Sequence, residues 1–223
     1  MHTEQILQSH IWPTARLFAD RYHMLTYIAS RTIVASVAEI GVANGQFSRF
    51  LLDACSPSYF AAYDIFELHK LDSIWGTPSV EMFSGKTHYD FYCDHFATDI
   101  SSGRVAVFSG DSSPMLRSSS RDFDLIYIDG DHSLEGVKLD VEAALCKIKP
   151  TGVLVFNDYI AYDHFGMGPY GIVDNVNSLL GQSDWKIMSF AFQRHMFCDI
   201  ALTRTSSPWL EPLCSAQAGV AVL

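Results

Sequence analysis

A chain of 223 residues, 48% hydrophobic and with a mean hydropathy of +0.11, has the size and apolar content of one globular unit able to bury most of its unfolded surface. Its formal charge of −10 and pI near 5.2, with Lys and Arg scattered, leave no basic stripe for a phosphate backbone and argue against nucleic acid as a partner. The polar start lacks a cationic region before an apolar run, no run is long enough for a bilayer, and five cysteines without C-x-x-C spacing read as buried thiols, so a membrane-free cytoplasmic setting is expected.

Taken in order, Leu17, Phe18, Tyr22, Leu25, Ile28 and Ala29 recur at helical spacing and predict a leading amphipathic helix over 14–31, within a helical cap 1–35. The apolar run 32–38 predicts a first strand. It ends on Glu39 and turns through Gly41 and Gly45 into a helix carrying Phe47, Phe50, Leu51 and Leu52. A strand over 59–63 ends at Asp64; 65–85 reads as a mobile loop and 87–100 as a helix. A strand over 105–108 leads into Gly110, Asp111 and Ser112, and one over 124–128 leads into Asp129, Gly130, Asp131 and His132. The stripe Val137, Val141, Leu145 and Ile148 predicts a helix over 134–148, stopped by Pro150 and Gly152. A strand over 153–156 ends at Asn157 and Asp158. A glycine-containing loop covers 160–170, a helix 172–180, and strands 185–192 and 199–203 form an antiparallel pair. The main unit is therefore 36–203. A tail, 204–223, ends in an apolar stretch compatible with packing on a second copy in a homodimer.

Short apolar strands alternating with helices predict an α/β fold with a mostly parallel sheet covered on both faces. In such a fold the carboxyl ends of the strands share one edge. Glu39 to Gly45, Asp64, Gly110-Asp111 and Asp129 to His132 would then converge on one crevice. Two glycines four apart after a strand suit close approach of a ligand to the backbone. An acid about twenty residues later suits ribose hydroxyls, of either an adenosyl or a nicotinamide cofactor.

The turn Glu39-Ile40-Gly41-Val42-Ala43-Asn44-Gly45 reads E-x-G-x-x-x-G, not G-x-G-x-x-G. It resembles the first motif of the class I S-adenosylmethionine (SAM) methyltransferases more than a dinucleotide fingerprint. The stretch from Phe123 through Asp129-Gly130-Asp131-His132 to Val137, with Asp140 and the run from Lys149 to Tyr159, is similar to the D-L-I-x-I-D-G-D-H block and its downstream D-Y partner in one such family. That family is related to catechol O-methyltransferase and to sugar O-methyltransferases of antibiotic pathways. The resemblance runs from about Ser36 to Thr203. It implies a Rossmann-like, doubly wound, mostly parallel seven-stranded sheet with an antiparallel last strand, SAM as methyl donor, and a small-molecule acceptor, usually methylated at oxygen.

Carried over residue by residue, the resemblance places Glu39, Gly41 and Gly45 around the methionine part of SAM, Asp64 at the ribose, and Asp111 with Ser112 at the adenine. Asp129 belongs to the cofactor-binding set and also matches the first metal-ligand acid of metal-dependent relatives. Asn157 and Asp158 match their second and third ligands, and together the three suit Mg²⁺. The same residues also suit plain roles, Asp129 as a helix cap and Asn157-Asp158 as a turn. His132 stands where catechol relatives carry the general base, and Asp131 where some sugar methyltransferases do. Phe47 replaces a common Ser, leaving Ser48 to contact the SAM carboxylate; Thr151 and Leu134 also depart from the pattern. Trp12, Tyr22, Tyr27, Trp75 and Phe83 suit either the core or a lid over a flat acceptor, and His164 suits an acceptor-facing or a solvated position. Three other readings stay open: a metal-independent N-methyltransferase, an NAD-dependent oxidoreductase lacking the usual fingerprint, and a non-catalytic SAM-binding protein.

Overall fold

A computed structural model describes residues 8–31, 33–182 and 184–207. The strands are β1 (Ile11–Phe18), β2 (Ser36–Ile40), β3 (Tyr59–Asp64), β4 (Val105–Ser109), β5 (Phe123–Ile128), β6 (Ile148–Phe156), β7 (Trp185–Phe192) and β8 (Cys198–Arg204). They form one sheet in the order β1-β7-β8-β6-β5-β2-β3-β4. β8 runs antiparallel to β6 and β7, while the other neighbours pair in parallel. The helices are α1 (Arg21–Arg31), α2 (Gln46–Cys55), α3 (His88–His95), α4 (Ala97–Ser101), α5 (Ser112–Ser118), α6 (Leu134–Lys147) and α7 (Ile172–Gln182). Residues 65–85, expected as a plain loop, hold a two-strand hairpin and single helical turns.

Seven strands follow the expected doubly wound order with its reversed last strand. The eighth, β1, comes from residues expected to be helical. The cap 1–35 is therefore a strand followed by a helix over its described part. The helical spacing straddled two elements: Met24, Leu25 and Ile28 are the buried face of α1, whereas Leu17 is 72% exposed on β1. Asp20 divides them, its carboxylate accepting from the His23 backbone N–H at 2.9 Å as a helix-start cap. β1 adds to the sheet edge through Arg16, Leu17 and Phe18 opposite Ser189, Phe190 and Ala191. Pro13, which lacks a backbone donor, is tolerable on such an edge. The apolar end of the tail lies outside the described residues, as does Cys214.

β2 and β5 are buried on both faces, as their unbroken apolar runs require. One face packs Val37, Leu125, Tyr127 and Val155 against Leu25, Ile28, Leu51 and Phe96; the other packs Ala38, Ile126 and Leu154 against Val137, Ala144 and Val176. From β2 the sheet is extended on one side by β3 and β4 and on the other by β5 and β6. The order reverses at β2/β5, and there a crevice opens beyond the carboxyl ends of the strands.

Candidate active site

On the β2-β3-β4 side the crevice is built from backbone. Gly41 has φ +80°, and a Cβ there would sit 1.9 Å from the Asp129 carbonyl oxygen. Only glycine permits the turn after β2 to pass that closely under the turn after β5. Gly45, at φ +78°, begins α2. Asp64 holds the turn in shape, its carboxylate accepting from the N–H of Val42 at 2.8 Å and of Phe66 at 2.6 Å. Remaining lone pairs on this half-buried carboxylate are suited to ribose hydroxyls. Asp111 caps α5 by accepting from the Ser113 N–H.

Glu39 is wholly buried at the floor. Burial pushes its carboxyl up to about 8, with Asp64 adding; the Ser48 hydrogen bond and Arg21 oppose. The Ser48 hydroxyl donates to Glu39 at 2.5 Å and is itself buried, so it stands behind Glu39 and not at the crevice surface where a cofactor carboxylate would meet it. Ser112 likewise donates to Asp140, which orients α5 against α6. His88, which sequence reasoning passed over, is buried between Phe66 and Phe83. Its Nε2 hydrogen-bonds the Ala43 carbonyl within the glycine turn, and its Nδ1 has no partner.

On the β5-β6-β8 side the crevice is built from side chains. His132 follows β5. Its Nε2 lies 3.6 Å from Asp129 Oδ1 and 3.9 Å from Asp158 Oδ2, enclosed and without a hydrogen-bond partner. Its ring stacks on Tyr170 at 4.5 Å. Burial lowers the pKa of this imidazole, with the neighbouring Asn157 and the charges of Asp131 and Asp163 opposing. Asp131 is exposed and turned toward the start of α6, accepting from both the N–H and the hydroxyl of Ser133. It serves the helix end, while His132 faces the carboxylates. Burial raises Asp129, with Asp158 adding, and raises Asp158 to about 7, with Asp199 adding; Arg21 opposes both.

Beneath them lies a network that no local pattern announced. Tyr127 is wholly buried; its hydroxyl donates to Asp199 Oδ2 at 2.7 Å and accepts from Arg21 Nη1 at 3.1 Å and Asn157 Nδ2 at 3.2 Å. Asn157 Nδ2 and Gln193 Nε2 also donate to Asp199 Oδ1. Burial lifts Asp199 to about 6, against Arg21, Tyr127 and Gln193. The Arg21 guanidinium lies over the Phe47 ring, 4.3 Å from its centroid. An Asp20-like cap signal could have located the start of α1, but nothing in the sequence pointed to Arg21 or Asp199 as site residues.

Of the residues expected to hold magnesium, Asp129 and Asp158 flank His132 Nε2, and the Asn157 amide nitrogen donates to Tyr127 and Asp199, which leaves the amide oxygen, the atom a metal would take, outside those two hydrogen bonds. Among the described residues, no group of three or more His, Cys, Asp or Glu side chains is placed to hold a metal ion. Trp75 is exposed, Phe83 is core, Tyr22 packs edge-on against Phe50, and His164 is exposed. A shallow groove lined by Ala35, Ser58, Tyr59, Arg121 and Lys149 opens at the amino ends of the strands, the edge opposite to all of these groups.

A doubly wound sheet, a glycine turn crossing under the acid at the end of β5, and an acid at the end of β3 are the features of a fold that binds nucleotide-like cofactors at this edge. Residues 38–159 match the family model for the methyltransferase domain. The chain belongs to this family and is a SAM-dependent methyltransferase of class I. Solved structures agree on the fold. An O-methyltransferase from Bacillus cereus in complex with SAH is 14% identical with a TM-score of 0.59, covering 82% of this chain and 80% of that one. A putative O-methyltransferase from Klebsiella pneumoniae is 12% identical with a TM-score of 0.59, covering 82% and 79%. A putative rRNA methylase from Clostridium thermocellum is 12% identical with a TM-score of 0.54, covering 82% and 95%. No curated protein matches the chain in sequence. No helix among the described residues is long and apolar enough to cross a membrane.

Proposed function

We propose that this methyltransferase acts on a hydroxyl of a small molecule, with His132 as general base. The observation that carries the reading is the enclosed, unpartnered His132 Nε2 between Asp129 and Asp158. An imidazole held neutral by burial can take a hydroxyl proton at neutral pH. SAM supplies an electrophilic methyl group on a sulfonium. Glu39, Gly41, Gly45, Asp64 and Asp111 are the residues we assign to hold it. The acceptor oxygen forms its bond to the methyl carbon as the carbon–sulfur pair returns to sulfur, and the proton passes to His132. Alignment of the three atoms supplies much of the acceleration.

The chain's charge of −10 favours a small acceptor over RNA, although some fold neighbours carry an rRNA methylase title. A cytoplasmic setting is part of this proposal, in keeping with free thiols at Cys55, Cys93, Cys146 and Cys198. The test is methyl transfer from labelled SAM to a panel of phenols, enols, sugars, amines and RNA. O-methyl products, reduced roughly a hundredfold or more in His132→Gln with S-adenosylhomocysteine binding intact, are expected. Products on nitrogen or RNA alone would sink the reading.

A further inference from the structure

The buried side-chain atoms without a hydrogen-bond partner include His88 Nδ1, and the other ring nitrogen of His88 meets the glycine turn. Residues Val42 to Gly45 make that turn, closed inside by the Gly45 N–H donating to the Val42 carbonyl at 2.8 Å. Within it Ala43 takes φ +43°, a left-handed conformation that a residue with a Cβ rarely adopts. The turn is held from outside at two places. Asp64 accepts from the Val42 N–H, and the His88 imidazole donates through Nε2 to the Ala43 carbonyl. His88 opens α3 behind its Thr87 cap, and Tyr92 and Phe96 follow at spacings of four on the same face. A Cβ on Gly45 would sit 3.2 Å from the Tyr92 ring and 2.8 Å from the Phe96 ring, so this face backs the turn at Ala43 and again at Gly45.

The chemistry of the imidazole narrows what it does there. A carbonyl oxygen only accepts, so Nε2 carries the hydrogen and Nδ1 is left as an acceptor. His88 is wholly buried, its ring centroid 4.9 Å from that of Phe66 and 4.7 Å from that of Phe83. Burial lowers its pKa, with His69 adding and Asp64 and the Ala43 hydrogen bond opposing, which keeps the ring neutral at pH 7. An enclosed acceptor without a donor costs stability, and an all-carbon ring in the same slot is spared that cost. Packing alone would be served better by phenylalanine. What the histidine brings is the Nε2 hydrogen bond on the turn.

We propose that His88 is a positioning residue of the cofactor site: together with Asp64 it holds the Val42–Gly45 turn in its left-handed shape, so that SAM meets a turn already formed. This rests on the assignment of the glycine turn to SAM. His88 acts through the Ala43 carbonyl, not by touching the cofactor, and spares SAM the entropy cost of ordering the turn.

The test is calorimetric titration of the full chain with S-adenosylhomocysteine, alongside thermal unfolding without it. His88→Phe keeps a ring in the slot and removes both nitrogens, whereas His88→Gln places an amide N–H where Nε2 stands. His88→Phe should weaken binding roughly tenfold, with its cofactor-free unfolding midpoint within about 3 °C of wild type. His88→Gln should recover the affinity to within about threefold of wild type. A purely structural ring would give the opposite order, since phenylalanine packs better than glutamine between Phe66 and Phe83. In nitrogen-15-labelled wild type, the His88 Nε2 proton should already be protected from solvent exchange before S-adenosylhomocysteine is added, and this measurement decides if His88→Phe does not fold. Three results overturn the inference: His88→Phe binding as tightly as wild type, His88→Gln binding no better than His88→Phe, or an Nε2 proton protected only after S-adenosylhomocysteine is added. Wild type that binds no S-adenosylhomocysteine would instead overturn the assignment of the turn to SAM beneath it.

Discussion

The two sides of the crevice are built on different principles. On the β2-β3-β4 side the shape comes from backbone: a glycine under a neighbouring carbonyl, and a carboxylate bracing two N–H groups within one turn and the next. On the β5-β6-β8 side it comes from side chains that start far apart in the chain, with Arg21 meeting Tyr127 across 106 positions and Tyr127 meeting Asp199 across 72. The first side suits a ligand that is the same in every turnover. A substitution on the second side is expected to leave the backbone geometry of the first in place.

That division can be broken most severely at Gly41. Gly41→Ala adds a Cβ onto the Asp129 carbonyl at a positive φ, joining both sides in one clash. We expect a stability loss of roughly 3–5 kcal/mol and no measurable S-adenosylhomocysteine binding, read by thermal unfolding and calorimetry. A mild effect would mean that the two turns are not rigidly apposed.

Glu39 makes the floor of the first side pH-sensitive. Its folded pKa is raised to about 8 from 4.5, so between those values the folded state binds more protons than the unfolded. Stability is therefore highest at low pH with respect to this group and falls as pH rises through about 8, by on the order of a few kcal/mol. Glu39→Gln should flatten that part of a pH series of unfolding midpoints. An unchanged slope would show that Glu39 is ionised in the folded protein already at low pH.

Asp64→Ala removes the brace of the glycine turn and a ribose acceptor together. Cofactor affinity should fall roughly tenfold to a hundredfold, measured by calorimetry, with the second side unaffected. Tyr127→Phe is the mirror experiment. It leaves Asp199 short of a donor and frees Arg21, at a cost of about 1–3 kcal/mol, yet S-adenosylhomocysteine should bind nearly as before. If Tyr127→Phe weakened the cofactor as much as Asp64→Ala does, the division into two sides would be wrong.

The smallest expected effect separates Asp131 from His132. Ser133 caps α6, its hydroxyl accepting from the Gly136 N–H at 3.1 Å while bonded to Asp131. Ser133→Ala should cost about 1 kcal/mol. Asp131→Ala should behave like it in unfolding experiments and keep a His132-dependent pH profile, moved only toward lower pH because the Asp131 charge that raises the imidazole is gone. A loss of proton-transfer behaviour in Asp131→Ala would return that residue to the catalytic role.

The strand ends, the glycine turn and the place of Asp64 were legible in the sequence, whereas the cap of α6, considered for Asp129, is made by Ser133. Each legible feature is a local device, written in neighbouring residues as periodicity or a φ requirement. β1 was misread because helical spacing ran across the Asp20 boundary, and a strand with no fully buried residue on either face lacks the alternation that marks a half-buried one. Gly41 was visible as a glycine, but the carbonyl it avoids belongs to a turn 88 positions away. Only the tertiary structure decided that Ser48 faces Glu39, that Asp131 serves a helix end, and that Arg21, Tyr127, Asn157 and Asp199 form one buried network. Those outcomes depend on the order in which strands lie side by side and on which helix covers them. Sheet order sets long-range neighbours by packing and hydrogen bonding among segments, and no local pattern of residues records it.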